Sequence, residues 1–187
     1  MLFVQGGGKG AHDLWDNKLV ASLKRALGPG YAVRYPRMPD EDDPEASAWK
    51  RTIAREISRL SDGVFLVGHS IGAAILMDYL ADGPLEQRPA GIFLLATPFI
   101  GDGGWPSDEL RSTRQIAVEI HDGTPLYFYQ GRDDETVPFS HVERFATVFP
   151  HAIVRRLEGR DHQLNDDLSE VARDIRLMTT RAVARPG

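Results

Sequence analysis

Gly68-His69-Ser70-Ile71-Gly72 constrains this chain more than any other stretch. It fits the pattern G-x-S-x-G and stands between two segments that give the pattern a mechanical meaning. Val64–Val67 is a short apolar run that reads as a buried strand. Ala73–Leu80 is apolar almost all round, as a helix packed on both sides would be. A strand that turns at once into a helix strains the serine between them and pushes its hydroxyl out at the end of a sheet. A Cβ at either flanking position would collide with a neighbouring strand or helix, so glycine is required there. The helix N-terminus then turns N–H groups and a positive dipole end toward charge developing beside the serine. The competing explanation is a glycine-rich strand–helix turn with an incidental serine, so other residues must decide.

The rest of the chain alternates in the same way. Leu2–Gln5, Ala32–Tyr35, Gly91–Ala96, Leu126–Gln130 and Ile153–Leu157 read as strands. Between them lie apolar stripes at helical spacing: Leu19, Leu23 and Leu27 in Leu14–Leu27; Trp49, Ile53, Ile57 and Leu60 in Glu45–Leu60; and a short helix over Ser140–Val148. The last helix covers Asn165–Ala184, with Leu168, Val171, Ile175, Met178 and Ala182 as its stripe, and 185–187 read as a loose tail. Each connection has room for a crossover helix. The expected fold is therefore α/β: one domain over residues 1–187, with about six parallel strands in the order 2-1-3-4-5-6 and helices on both faces.

Composition excludes several classes. Among 187 residues there is no cysteine, which removes disulfides, thiolate catalysis and cysteine-based metal sites. A net charge of −5 argues against nucleic-acid binding. No run approaches transmembrane length and the start lacks a basic leader, so no membrane association and a cytoplasmic location are expected. No H-x-H or H-E-x-x-H spacing occurs, so no metal and no cofactor are expected.

In an open parallel sheet, ligands bind beyond the C-terminal ends of the strands. A catalytic residue should therefore follow a strand. Ser70 does. Among the histidines, His162 follows the last strand through Leu157-Glu158-Gly159-Arg160-Asp161, and His12, its main rival, follows the first. His121 and His151 precede strands, His141 opens a helix expected at the surface, and His69 must point away from its neighbour Ser70. Asp133, Asp134 and Glu135 follow the Leu126–Gln130 strand and supply candidate acids. Serine, then acid, then histidine is the chain order of a nucleophile–acid–base set on this architecture, the acid holding the imidazole tautomer.

With these residues in view, the chain resembles the α/β-hydrolase superfamily from end to end, in a minimal three-layer version. Its first strand would correspond to that fold's third. Gly131-x-x-Asp134-x-x-Val137-Pro138 resembles the family's acid motif, which selects Asp134 over Asp133. More narrowly, the short length, His12-x-x-Trp15, Met38-Pro39, Trp49 and His69-Ser70-Ile71-Gly72 are similar to the small serine hydrolases grouped with retinoblastoma-binding protein 9 and the YdeN-like proteins. One departure is Gln5-Gly6, where the family has histidine-glycine. The resemblance implies a cofactor-free serine hydrolase acting on a small-molecule ester or related acyl compound. It would use Ser70, Asp134 and His162, with backbone N–H groups of Ile71 and one glycine of Gly6-Gly7-Gly8, taken as Gly7, for the oxyanion.

The insertion Phe99–Ile120 is too short for a large lid, so an open pocket is expected, with Phe99 or Trp105 as apolar wall. His12 is expected to pack on Trp15 near the oxyanion loop, within reach of a substrate, and Asp40-Glu41-Asp42-Asp43 to be a solvated loop. Two other functions compete. Gly6-Gly7-Gly8-Lys9-Gly10-Ala11 fits the dinucleotide fingerprint, but Arg34-Tyr35-Pro36-Arg37 lacks the acid that should end the second strand. A non-catalytic interaction module on a hydrolase scaffold, with a protein partner, would leave the serine–acid–histidine set unused.

Overall fold

Strands that alternate large apolar side chains on both faces can only sit in the middle of a three-layer structure, and four do so here, with a fifth, Ile153–Leu157, half exposed at the edge of the sheet. The computed structural model describes residues 1–120 and 123–183, with side chains through residue 180. His121, the Ala182 side chain and the tail 185–187 lie outside the described residues. In chain order the elements are β1 (Leu2–Val4), α1 (Asn17–Leu27), α2 (Ala46–Ile57), β2 (Phe65–His69), α3 (Ser70–Leu80), β3 (Gly91–Leu95), α4 (Thr113–Glu119), β4 (Leu126–Gly131), α5 (Ser140–Val148), β5 (Ile153–Leu157) and α6 (Ser169–Val183). A wide helical turn, Ala11–Asp16, leads into α1.

All neighbouring strands are parallel, in the spatial order β1-β2-β3-β4-β5. On one face Leu2, Val4, Leu66, Ile92, Leu94 and Phe128 meet Trp49 and Ile53 of α2, Ile75 and Leu76 of α3, Ile116 of α4, and Phe145 of α5. On the other, Phe3, Val67, Phe93, Tyr127 and Tyr129 meet Leu19 and Leu23 of α1 and Val171 and Ile175 of α6. The period-two alternation within β1 assigns Phe3 to one core and Leu2 and Val4 to the other. No helix among the described residues is long and apolar enough to cross a membrane.

Six strands were expected, and one is reduced to a single bridge. Residues 32–35 lie beside β1, on the edge the order 2-1-3-4-5-6 requires, but pair only through Leu2 and Arg34. The Phe3 N–H donates to the Arg34 carbonyl at 2.9 Å and the Arg34 N–H to the Met1 carbonyl at 3.0 Å. The next donor in that register would be residue 36, a proline without an N–H, so the ladder stops. The last helix also starts later than its apolar pattern implies. Leu164, Asn165 and Asp166 all have φ between 50° and 54°, a left-handed turn that holds α6 back to Ser169.

Candidate active site

Ser70 is the first residue of α3 and directly follows β2, with φ +52°. A left-handed backbone at a non-glycine residue is held only where its surroundings over-determine it. The surroundings are visible. An ideal Cβ on Gly72 would lie 1.9 Å from the Gln5 carbonyl oxygen, and one on Gly68 would lie 2.7 Å from Ala73 Cα. Helix α3 is thus pressed against both the end of β1 and its own strand, which leaves Ser70 the only turn that fits.

His162, after β5, reaches the Ser70 hydroxyl: Nε2 lies 3.0 Å from Oγ. Its Nδ1 lies 2.9 and 3.1 Å from the two carboxylate oxygens of Asp134, in the loop after β4. The two loops are joined backbone to backbone, Arg132 N–H to the Leu157 carbonyl at 2.9 Å and Asp133 N–H to the Arg160 carbonyl at 3.0 Å. Asp134 is buried, whereas Asp133 and Glu135 are exposed. The Asp134 carboxylate accepts the N–H groups of Thr136 and Val137, both at 2.8 Å, and the Gln130 side-chain amide at 2.7 Å. Burial pushes the Asp134 pKa up, but His162 and those amides outweigh it and hold the carboxyl below its usual range.

The glycine loop after β1 is held by two carboxylates. Asp16 accepts the Gly6 N–H at 2.7 Å. Glu41 accepts the N–H groups of Gly10 and His12, each at 3.0 Å, and the Gln5 amide at 2.8 Å, while its own carbonyl takes the Gly8 N–H at 2.5 Å. The acidic run is therefore not merely a solvated loop: Glu41 braces the turn. Burial raises its pKa, and these donors together with Arg37 more than offset that. Gln5 bridges Glu41 to the Met38 N–H, which it accepts at 3.0 Å. A dinucleotide pyrophosphate would need loop amides that Asp16 and Glu41 already occupy, which removes the nucleotide-binding reading.

Ser70 opens into a cleft of about 410 Å³ whose lining includes Gly7, Trp15, Pro44, Ile71, Trp105 and His162. Trp105 is where an apolar wall was expected. Phe99 is not: it is fully buried, edge-on to Phe145 with ring centroids 5.2 Å apart. Its N–H donates to His141 Nδ1 at 2.9 Å. His141 is accordingly buried rather than at the surface. His12 does not line the cleft and does not pack on Trp15. Its ring stacks on Tyr35 at 4.2 Å and 6°, and Tyr35 Oη donates to its carbonyl at 2.9 Å. His151 is exposed at the N-terminal end of β5. A larger groove of about 700 Å³, lined by Asp40, Asp42, Asp43 and Glu109 among others, adjoins the cleft at Pro44 and holds no nucleophile.

One buried pair near Ser70 has no signature in the sequence. His69 does point away from Ser70, but into a buried contact with Asp16: Nδ1 lies 3.0 Å from both carboxylate oxygens. Its Nε2 lies 3.1 Å from the His162 carbonyl oxygen. Asp16 sits in an irregular turn, so no periodic spacing ties it to a residue across the sheet. Among the described residues, no three His, Asp or Glu side chains form a group able to hold a metal ion.

The family model for serine hydrolases matches residues 2–167, and the chain belongs to that family. No curated protein sequence matches it. Among solved structures it is similar to the ydeN gene product of B. subtilis: 19% identity, 96% of this chain and 98% of that one covered, TM-score 0.75. It is also similar to a yden-like hydrolase from Pectobacterium atrosepticum, at 17% identity over 100% and 92% of the two chains, TM-score 0.66. A serine hydrolase without a lid from Xanthomonas campestris matches at 19% identity over 100% and 83%, TM-score 0.63. The fold is a small, lidless α/β-hydrolase.

Proposed function

We propose that this protein hydrolyses a carboxylic ester or related small acyl compound through an acyl-enzyme on Ser70. The observation that carries the reading is the continuous contact from Ser70 Oγ through the His162 ring to the buried Asp134 carboxylate, at 3.0 and 2.9 Å.

His162 takes the Ser70 proton through Nε2 as Oγ attacks the carbonyl carbon. Asp134 holds Nδ1–H and stabilises the imidazolium that forms. The oxyanion faces the N–H of Ile71, in the first turn of α3 where N–H groups have no partner within the helix. Gly7 supplies the second donor. Its neighbours Gly6 and Gly8 both spend their N–H groups, on Asp16 and on the Glu41 carbonyl, and among the described residues nothing accepts the N–H of Gly7. A Cβ on Gly7 would come within 2.9 Å of Ile71 Cγ2, so the two donor residues are in contact. His162 then protonates the leaving group, and water repeats the sequence on the acyl-enzyme. Trp15 and Trp105 offer apolar surface in a cleft open to solvent, which suits a compact acyl group.

The test is turnover of a panel of nitrophenyl esters of graded acyl length, with Ser70→Ala as control, and mass spectrometry of the protein after a fluorophosphonate. The expected label is a single phosphonyl adduct on Ser70. Turnover that survives Ser70→Ala, or a label on another residue, would overturn the reading.

A further inference from the structure

We propose that Asp16 and His69 form a positioning pair that joins the oxyanion loop to the loop carrying His162, and that the join holds only while His69 is an imidazolium. The inference rests on the proposed acyl transfer at Ser70 and names two buried residues beneath the Ser70 cleft that act through the loops they tie.

What each ring nitrogen of His69 faces fixes where its protons sit. His69 Nε2 lies 3.1 Å from the backbone carbonyl of His162. A carbonyl only accepts, so Nε2 must carry a proton. His69 Nδ1 lies 3.0 Å from both oxygens of Asp16. One of those oxygens already accepts the Gly6 N–H at 2.7 Å, and the Gln163 side chain donates to the same carboxylate. Asp16 is thus surrounded by donors and is itself an acceptor, so Nδ1 must carry a proton too. Both nitrogens protonated means a cation, held in a fully buried ring.

The surroundings favour that charge. The groups facing His69 are Asp16 after β1, Asp134 after β4, and, after β5, the His162 carbonyl and the His162 ring, whose centroid lies 4.9 Å away. Burial pushes the His69 pKa down, and those partners more than reverse it, so it stands above the ordinary histidine value. Asp16 is moved the other way: burial raises it, His69 and the Gly6 and Gln163 donors lower it further, and it stays ionised.

The pair has a mechanical consequence. Gly6, held by Asp16, precedes Gly7, the second oxyanion donor. The His162 carbonyl, held by His69, belongs to the base itself. A neutral His69 can serve only one of these two contacts. With Nε2–H retained, a bare Nδ1 lone pair faces the Asp16 carboxylate. With Nδ1–H retained, a bare Nε2 lone pair faces the His162 carbonyl. Either way one loop is released, and a shift of about 1 Å in a reacting group can cost on the order of 10²-fold in rate. Loss of the His69 proton at alkaline pH should therefore lower kcat and leave KM nearly unchanged.

Asp16→Asn separates hydrogen bonding from charge. The amide oxygen can take the Gly6 N–H, and the amide NH2 can donate to Nδ1, which leaves Nε2–H for the His162 carbonyl. The bridge is then complete with a neutral ring. Asp16→Ala breaks it altogether. The experiment is a pH series of histidine ring ¹⁵N spectra on the wild-type chain and both variants, run beside ester kinetics and thermal melts. Wild-type His69 should keep both ring nitrogens protonated above the ordinary histidine value, and Asp16→Asn should show a single proton on Nε2. Asp16→Asn should keep most of the kcat and lose the alkaline fall, while Asp16→Ala loses on the order of 10²-fold in kcat at temperatures well below its melting point. A His69 that is neutral at pH 7 in the wild type overturns the inference, as does an Asp16→Asn enzyme as impaired as Asp16→Ala. The ¹⁵N spectra need no turnover. If Ser70→Ala retains activity, the acyl-enzyme reading fails while the His69 result still stands or falls by itself.

Discussion

Replacing Gly72 by alanine tests whether Ser70 is held in place by close approach of backbone, as argued above. The new Cβ would lie 1.9 Å from the Gln5 carbonyl oxygen and 3.1 Å from Val4 Cγ1. Ordinary contact begins near 3.4 Å, so helix α3 and the end of β1 must separate by about 1.5 Å. No flexible side chain can absorb this, because the obstructing atom is main chain. Overpacking of this kind costs about 1–3 kcal/mol. For a chain of this length that is a fall of roughly 3–10 °C in Tm. The functional loss should be larger than the stability loss. If the helix moves, Ser70 and the Ile71 N–H move with it; if the strand end moves, Gly6 and Gly7 follow Gln5. Both routes open the distance between the two proposed oxyanion donors, and one such donor is worth about 10²–10³ in kcat. The assay is the rate of fluorophosphonate labelling at 20 °C, where the variant remains folded, beside a thermal melt. Gly30→Ala is the control, because an added Cβ there meets nothing within 4 Å and the backbone has no positive φ. It should leave labelling unchanged and shift stability by less than about 1 kcal/mol. A Gly72→Ala protein that melts within about 2 °C of wild type and labels at the wild-type rate would mean that close backbone approach does not hold Ser70 in place, since about 0.5 kcal/mol is then all the clash costs.

Other expectations are simpler. Ser70→Ala and His162→Ala should each cut ester turnover by about 10⁴-fold or more, because nucleophile and base act as a unit. Asp134→Asn should lose a large part of that, while Asp133→Asn, at an exposed position, should lose less than about tenfold; the reverse ranking would mean that the wrong carboxylate serves His162. His12→Ala removes a ring stacked on Tyr35 outside the cleft, so it should lower stability by about 1 kcal/mol and leave Ser70 labelling intact. His141 must accept the Phe99 N–H through an unprotonated Nδ1, and burial first, then Arg144, lowers its pKa. Its contribution to stability is full above the unfolded value near 6.5 and is lost as pH falls from there toward the lower folded value. Urea midpoints measured in that window should fall with pH in the wild type and stay flatter in His141→Gln, whose side-chain oxygen can still accept.

The features legible in the chain were those set by local pattern and by the ends of strands. A period-two apolar run, a stripe at helical spacing and a G-x-S-x-G turn each state their structure within a few residues. The strand-end rule then brings Ser70, Asp134 and His162 to one edge of the sheet, because a parallel sheet presents all its C-terminal ends together. The details that went astray are governed by one atom or one partner. Pro36 ends a strand by lacking a single N–H. Phe99 lies inward against Phe145, and its N–H is taken by the ring of His141, which is buried in making that contact. Glu41 looked like one of four solvated acids, but its carboxylate gathers donors from a loop far from it in sequence.

His69 shows most clearly why such contacts escape a linear reading. His69 ends β2 and Ser70 opens the left-handed turn into α3, so the two neighbouring side chains leave the turn in different directions. What it turns toward is set by three segments far apart in the chain: the Asp16 turn, the Asp134 loop and the His162 loop. None of these has a spacing relative to residue 69 that any fold rule predicts. A buried histidine is nevertheless a strong statement once its partners are known, because an imidazole has two nitrogens and each must be satisfied. Ser70 is positioned by strain in its own backbone, whereas His162 and Gly7 stand on loops that need an external tie. The same pair of side chains reaches both loops, so the proposed oxyanion donor and the proposed base share one tie, beside the separate ones that Glu41 gives the first loop and the β4 loop gives the second.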